Sequence, residues 1–205
     1  MEPCLLNELQ LDAIREICNI GMGHATTALS HLLNTRIEAG MPSVHLLALG
    51  QVHEFIGGAE QPVVGIMFRM TGDADGLLAL IFPHDCALRL ISHLTSSTVT
   101  AGHALSEFEA SAITEIGNIL VSAHLNAISK LLNLTLLPSI PSLLLDMAGA
   151  VLDPILTRQC SDGDISLFAQ AEFNAVGSGI AGMFFMIPDP DSLQLILQAS
   201  GTLDA

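Results

Sequence analysis

At 205 residues, half of them hydrophobic, the chain is long enough to bury a substantial core, as one domain or as two small fused halves. Its 21 acidic residues against 6 Lys and Arg leave a net charge of −15, which repels phosphate backbones and anionic lipid and so excludes nucleic-acid and membrane partners; a basic protein patch is the surface such a field attracts. Mean hydropathy is positive, yet no run approaches the roughly 18 apolar residues of a membrane helix, and Met1 to Gln10 carries acids where a signal peptide has bases. Cys4, Cys18, Cys86 and Cys160 are scattered without a C-x-x-C pair, as expected of free thiols in a reducing compartment, so the expected location is cytoplasmic.

The first predicted element is a helix, with Asn7 as N-cap and Gln10 completing a capping box. Apolar residues recur at helical spacing through Leu11, Ile14, Ile17 and Ile20, and Gly40-Met41-Pro42 is expected to end the segment. Gly21 and Gly23 lie inside this pattern with no strand before them and no Lys after, so they make no phosphate loop; close packing of the helix on its partner is the expected reason for both. Extended runs follow, of which Val63 to Met70 and Leu77 to Phe82 flank a Gly- and Asp-rich turn. A helix near Asp85 to Leu94 closes this half, and Thr95 to Leu105, rich in Ser, Thr and Gly, reads as a link.

The same order then begins again. Ser106 and Glu109 repeat the capping box, Ser139-Ile140-Pro141 repeats the stop, Ile165 to Phe173 and Ile180 to Ile187 repeat the hairpin, and Asp189 to Ala199 repeats the closing helix. At an offset of 99, Asn7 to Ser43 lies over Ser106 to Ser142 with 14 of 37 positions identical, where about two are expected from average residue usage. The later parts correspond at an offset of 105, which implies a six-residue insertion, placed in the polar run Gln159 to Asp164. Such self-similarity signifies an internal duplication. The expected architecture is an α+β fold with pseudo-twofold symmetry, an antiparallel sheet built from both halves, and two long helices. Residues 1–205 are expected to form a single domain of half-repeats 7–94 and 106–200 joined by 95–105. Because the duplication supplies what a homodimer would, a monomer is expected.

On each first helix three polar residues stand at i, i+4 and i+7: Asp12, Glu16 and Asn19, then Ser111, Glu115 and Asn118. At about 100° per residue they stay within roughly 60° of one face over about 10 Å. A solvated helix face is the ordinary explanation of one such stripe. Here Glu and Asn recur in both copies while neighbours diverge (Arg15 against Thr114, His31 against Lys130), and both Asn occupy helix interiors where their propensity is poor. An amide both donates and accepts, so Asn can orient a water without being consumed; Glu can grip a Lys. No Ser–His or Cys–His pair accompanies them. The combination suits delivery of water to an electrophile carried by another protein.

This pattern resembles the CheC/CheX/FliY family of chemotaxis phosphatases, whose signature is Asp or Ser, three residues, Glu, two residues, Asn, twenty-two residues, Pro. Asp12, Glu16, Asn19 and Pro42 fit it, and so do Ser111, Glu115, Asn118 and Pro141. The run Asn19-Ile20-Gly21-Met22-Gly23-His24-Ala25 is similar to the family's N-I-G-x-G-x-A, with Cys18 standing where Gly is usual, as at Gly117. Two motif-bearing helices and no additional switch domain place the resemblance nearest free-standing CheC. The resemblance implies an enzyme that hydrolyses the aspartyl phosphate of a CheY-like response regulator. Asn19 and Asn118 would position water, Glu16 and Glu115 would dock the regulator's Lys, Asp12 and Ser111 would support them, and Pro42 and Pro141 would end the helix-to-strand turn. The chain itself would bind no cofactor, the Mg²⁺ being the regulator's. A receptor deamidase of the CheD type is a further partner the family implies, and a non-catalytic adaptor is the competing class; retention of both Asn favours the enzyme.

The eight histidines offer no recognised metal spacing. His24 and His31 are seven apart, His84, Asp85 and Cys86 are adjacent, and neither set recurs in the second half, so no metal site is expected. Met183, Phe184, Phe185 and Met186 are expected in the core.

Overall fold

A computed structural model describes residues 6–48, 54–95, 105–152 and 165–202. The link 95–105 and the insertion at 159–164 therefore fall wholly or mostly outside the described residues. Helix α1 (Glu8–Leu33) is followed by strands β1 (Ile37–Ala39), β2 (Ser43–Ala48), β3 (Pro62–Gly72) and β4 (Gly76–Pro83), and by α2 (His84–Thr95). The second half repeats this order as α3 (Glu107–Leu132), β5 (Leu136–Pro138), β6 (Ser142–Met147), β7 (Ile165–Ala175), β8 (Ile180–Pro188) and α4 (Pro190–Ala199).

Local chemistry sets the ends of the two long helices. Asn7 and Ser106 have extended backbones and accept from the N–H groups of Gln10 and Glu109, whose side chains accept from the cap N–H groups in return, so both capping boxes form. The far ends differ from expectation. Each helix stops at Leu33 or Leu132, well before Gly40-Met41-Pro42 or Ser139-Ile140-Pro141, because Asn34 and Asn133 turn left-handed (φ 48° and 53°) and close the last turn onto the carbonyls of Ser30 and Ser129. Asn is among the few residues that tolerate this conformation. The signature prolines instead lie in the turns that lead from β1 to β2 and from β5 to β6.

All eight strands join one antiparallel sheet in the order β1-β7-β8-β4-β3-β5, with β2 also on β7 and β6 also on β3. The halves meet at β4 and β8, where Ala79 lies opposite Phe185 and Leu80 opposite Phe184. Each half also lends strands to the other: β2 of the first pairs with β7, and β6 of the second pairs with β3. The central strands are buried on both faces, as their unbroken apolar runs require. Leu78, Leu80 and Phe82 of β4 face the core under α1 and α3, while Leu77, Ala79 and Ile81 face a smaller core with Ile56, Val151 and Leu152. Phe184, Phe185 and Met186 are buried and Met183 is half-buried.

The long helices lie against each other on the larger core. Gly21 allows this contact: a Cβ there would stand 2.5 Å from Cε1 and Nδ1 of His124, a fully buried ring that also tilts against Phe184 at 4.3 Å. Gly23 corrects the expectation of close packing, since it is exposed and a Cβ would meet nothing within 4 Å.

Candidate functional site

The capping boxes fix where each helix begins, and the buried faces fix its rotation. Ile14, Ile17, Cys18, Met22, Ala25 and Leu29 point α1 into the core, as Ile113, Ile116, Leu120, Leu125 and Ile128 do for α3. That rotation leaves Asp12, Glu16 and Asn19 exposed on α1, and Ser111, Glu115 and half-buried Asn118 outward on α3. Each trio the sequence singles out thus shares one solvent-facing strip. Gly117, beside Asn118, seats α3 on the sheet, because a Cβ there would lie 2.9 Å from Cγ2 of Ile66.

The two strips are not identical. On α3, Nδ2 of Asn118 donates to Oε2 of Glu115 at 3.2 Å, which orients the amide oxygen away from the carboxylate. On α1, Glu16 and Asn19 make no side-chain hydrogen bond with the described residues. Asp12 is instead ion-paired with Arg15 one turn along, a contact between exposed groups. Arg15 looks like a diverged surface residue in the duplication, yet opposite charges at i and i+3 were a readable signal of this pairing. Ser111 turns its hydroxyl back to the carbonyl of Glu107 at 2.8 Å, and Thr114, at the position of Arg15, bonds the carbonyl of Ala110. The first motif positions therefore do different things in the two copies. Pro42 is buried and Pro141 half-buried, each immediately before the strand that crosses to the other half. Their geometry is that of turn residues, not of groups on the strip.

Electrostatics exclude two other chemistries on these helices. Cys18 adjoins Asn19 in sequence, but burial pushes its thiol up to about 12, so it offers no thiolate at neutral pH. His124 is driven down to about 3 by burial, opposed by the nearby Gly21 backbone, and neither ring nitrogen makes a hydrogen bond of normal geometry. It stays neutral and inside the helix contact. His24 and His31 are exposed, and among the described residues no group of three or more His, Cys, Asp and Glu converges as metal ligands would. The strips hold an anion and an amide, an arrangement able to bind a cation and order a water.

Comparison with known proteins gives the family and the fold. A model of the CheC-like family fits residues 9–46 and 108–145, one match on each motif helix and the strands after it. The chain is 35% identical over 204 residues to the CheY-P phosphatase CheC of Bacillus subtilis (strain 168), covering 96% of both. Its fold superposes on Thermotoga maritima FliY with a TM-score of 0.75 at 21% identity, covering 97% of this chain and 99% of the other. It also superposes on a chain of the CheX-CheY-BeF3-Mg complex of Borrelia burgdorferi, with a TM-score of 0.57 at 17% identity over 86% of this chain and 98% of the other. Among the described residues no helix is long and apolar enough to cross a membrane. With 35% identity to one member over nearly its full length and the family model matched once on each long helix, this chain belongs to the CheC-like family.

Proposed function

We propose that the chain hydrolyses the aspartyl phosphate of a CheY-like response regulator, using the exposed Glu and Asn of α1 and α3. The observation that carries this reading is the recurrence of one Glu-Asn strip, outward-facing and in the same register, on both halves of the fold. The Bacillus relative's activity as a CheY-P phosphatase supports the same assignment.

In this mechanism Glu16 or Glu115 docks on a lysine of the regulator and sets the register of the helix over the phosphorylated aspartate. Asn19 or Asn118, one turn further on, reaches the acyl phosphate and holds a water in line with phosphorus. The oxygen of that water bonds to phosphorus as the bond from phosphorus to the aspartyl oxygen breaks. The products are inorganic phosphate and the free aspartate. A Mg²⁺ bound by the regulator, which holds the reacting group, would neutralise the leaving carboxylate, and the residues of this chain would supply only position and water. Such catalysis acts through position rather than through a covalent intermediate. Each tenfold gain corresponds to about 1.4 kcal/mol of barrier, within the reach of one well-held water.

The test is the decay of phosphorylated regulator with and without the chain. Acceleration above spontaneous loss is expected, with Glu16→Lys plus Glu115→Lys raising the KM and a Lys→Glu change on the regulator restoring it. No acceleration of any aspartyl-phosphorylated CheY-like regulator would overturn the proposal.

A further inference from the structure

Ten large apolar side chains are exposed among the described residues, and three pairs of them occupy equivalent positions in the duplication: Leu9 with Phe108, Leu32 with Leu131, and Met41 with Ile140. Single exposed apolar residues are ordinary; retention in register after duplication is not explained by chance exposure. Only the first pair shares the strip. At about 100° per residue, position 9 lies about 20° from Glu16 and about 80° from Asn19, roughly 10 and 15 Å down the axis. Leu32 lies about 160° around the helix from Glu16, and Met41 and Ile140 sit in turns.

Leu9 is 52% exposed and Phe108 is 71% exposed, and neither belongs to the packed core. Helix capping does not require them either. The residues flanking the cap, Leu6 and Leu11 in the first copy and Leu105 in the second, already pack against the core as a hydrophobic staple does. Ala13 and half-buried Ile20 continue the line on α1, and Ala112 and half-buried Ile119 continue it on α3. An apolar ridge thus runs directly beside the Glu-Asn strip in both copies.

We infer that this ridge is the docking surface for the regulator's receiver domain, with Leu9 and Phe108 as apolar anchors that determine the affinity of each site. The inference rests on the phosphatase reading. Continuity with the reacting strip selects the occupant: any protein that brings its phosphoaspartate to Asn19 or Asn118 must cover the helix face from Asn down towards the cap. The anchor is larger on α3, and that strip also has its Asn amide held by Glu115, so the α3 site is the tighter of the two.

The experiment reads one site at a time on the full chain, using Asn19→Ala to isolate α3 and Asn118→Ala to isolate α1. In these backgrounds Phe108→Ala and Leu9→Ala are compared for hydrolysis of phosphorylated regulator, with melting curves to verify folding. Loss of a buried apolar anchor is expected to raise KM roughly tenfold, and to leave kcat within about twofold. Phe108→Leu is expected to bring the α3 site towards the KM of the α1 site. An unchanged KM in both alanine variants, or a fall in kcat without a change in KM, would overturn the docking role while leaving the phosphatase standing. If the intact chain neither binds nor dephosphorylates the regulator, the phosphatase reading fails first and this inference fails with it.

Discussion

Gly21 and Gly23 stand two residues apart on α1, and alanine at the two positions should have opposite effects. At Gly21 a Cβ lies 2.5 Å from two atoms of the His124 ring, against the roughly 3.5–4 Å of an unstrained carbon contact. The ring is fully buried and flanked by Phe184, so it cannot swing aside into solvent. The helices must part by about 1 Å, and overpacking of this kind costs about 1–3 kcal/mol. The helix-propensity gain of Gly→Ala returns about 1 kcal/mol, leaving a net loss of up to about 2 kcal/mol for Gly21→Ala. Gly23→Ala meets nothing within 4 Å and keeps the whole gain, about 0.5–1 kcal/mol. Urea unfolding separates the variants, since 1–3 kcal/mol/M in slope turns this difference into a midpoint gap on the order of 1 M. A double-mutant cycle isolates the cause: once His124→Ala removes the ring, Gly21→Ala should become neutral or stabilising. If Gly21→Ala costs the same with and without the ring, the α1–α3 contact is not limited by His124.

His124 also governs an acid response. In the unfolded chain it takes a proton near pH 6.5, whereas in the fold it stays neutral down to about 3. Between those values the unfolded state binds the extra proton, so stability falls as pH falls, by up to about 1.4 kcal/mol per unit and about 2 kcal/mol from pH 7 to 5. His124→Leu should remove that part of the slope in unfolding experiments at pH 5, 6 and 7. At the helix ends, Asn34→Ala or Asn133→Ala should cost about 1 kcal/mol each, because alanine resists the left-handed cap, whereas Asn→Gly should cost little; thermal or urea melts decide. With its thiol pushed up to about 12, Cys18 should stay unalkylated at pH 8 in the folded chain, while half-exposed Cys86 reacts, as peptide mass spectrometry after a timed iodoacetamide pulse will show.

What the sequence made legible was local or periodic. The capping boxes of Asn7 and Ser106, the hairpin runs and the outward Glu-Asn strips are each specified by residues within a few turns of one another, the duplication by recurrence at a fixed offset, and the structure contains them all. The helix ends were misplaced because Gly and Pro are louder stop signals than Asn, although the Asn34–Asn133 identity was there to be read. Gly21 and Gly23 look equivalent in sequence because nothing local says which one faces His124, a residue about a hundred positions away. The exchange of β2 and β6 between halves depends on pairing across the whole chain, and the binary pattern of a six-residue strand does not encode its partner. Arg15 escaped notice for a different reason: divergence between the copies marked it as surface, whereas its role is defined against Asp12, which diverged with it.

The central claim is that the paired Asn residues carry the hydrolysis. The most direct measurement is loss of radiolabel from an aspartyl-phosphorylated CheY-like regulator with the intact chain, with Asn19→Ala, with Asn118→Ala and with both substitutions, alongside regulator binding. The account predicts acceleration by the intact chain, a partial loss in each single variant, and no acceleration by the double variant despite retained binding. A double variant that still dephosphorylates the regulator at the intact rate would contradict it.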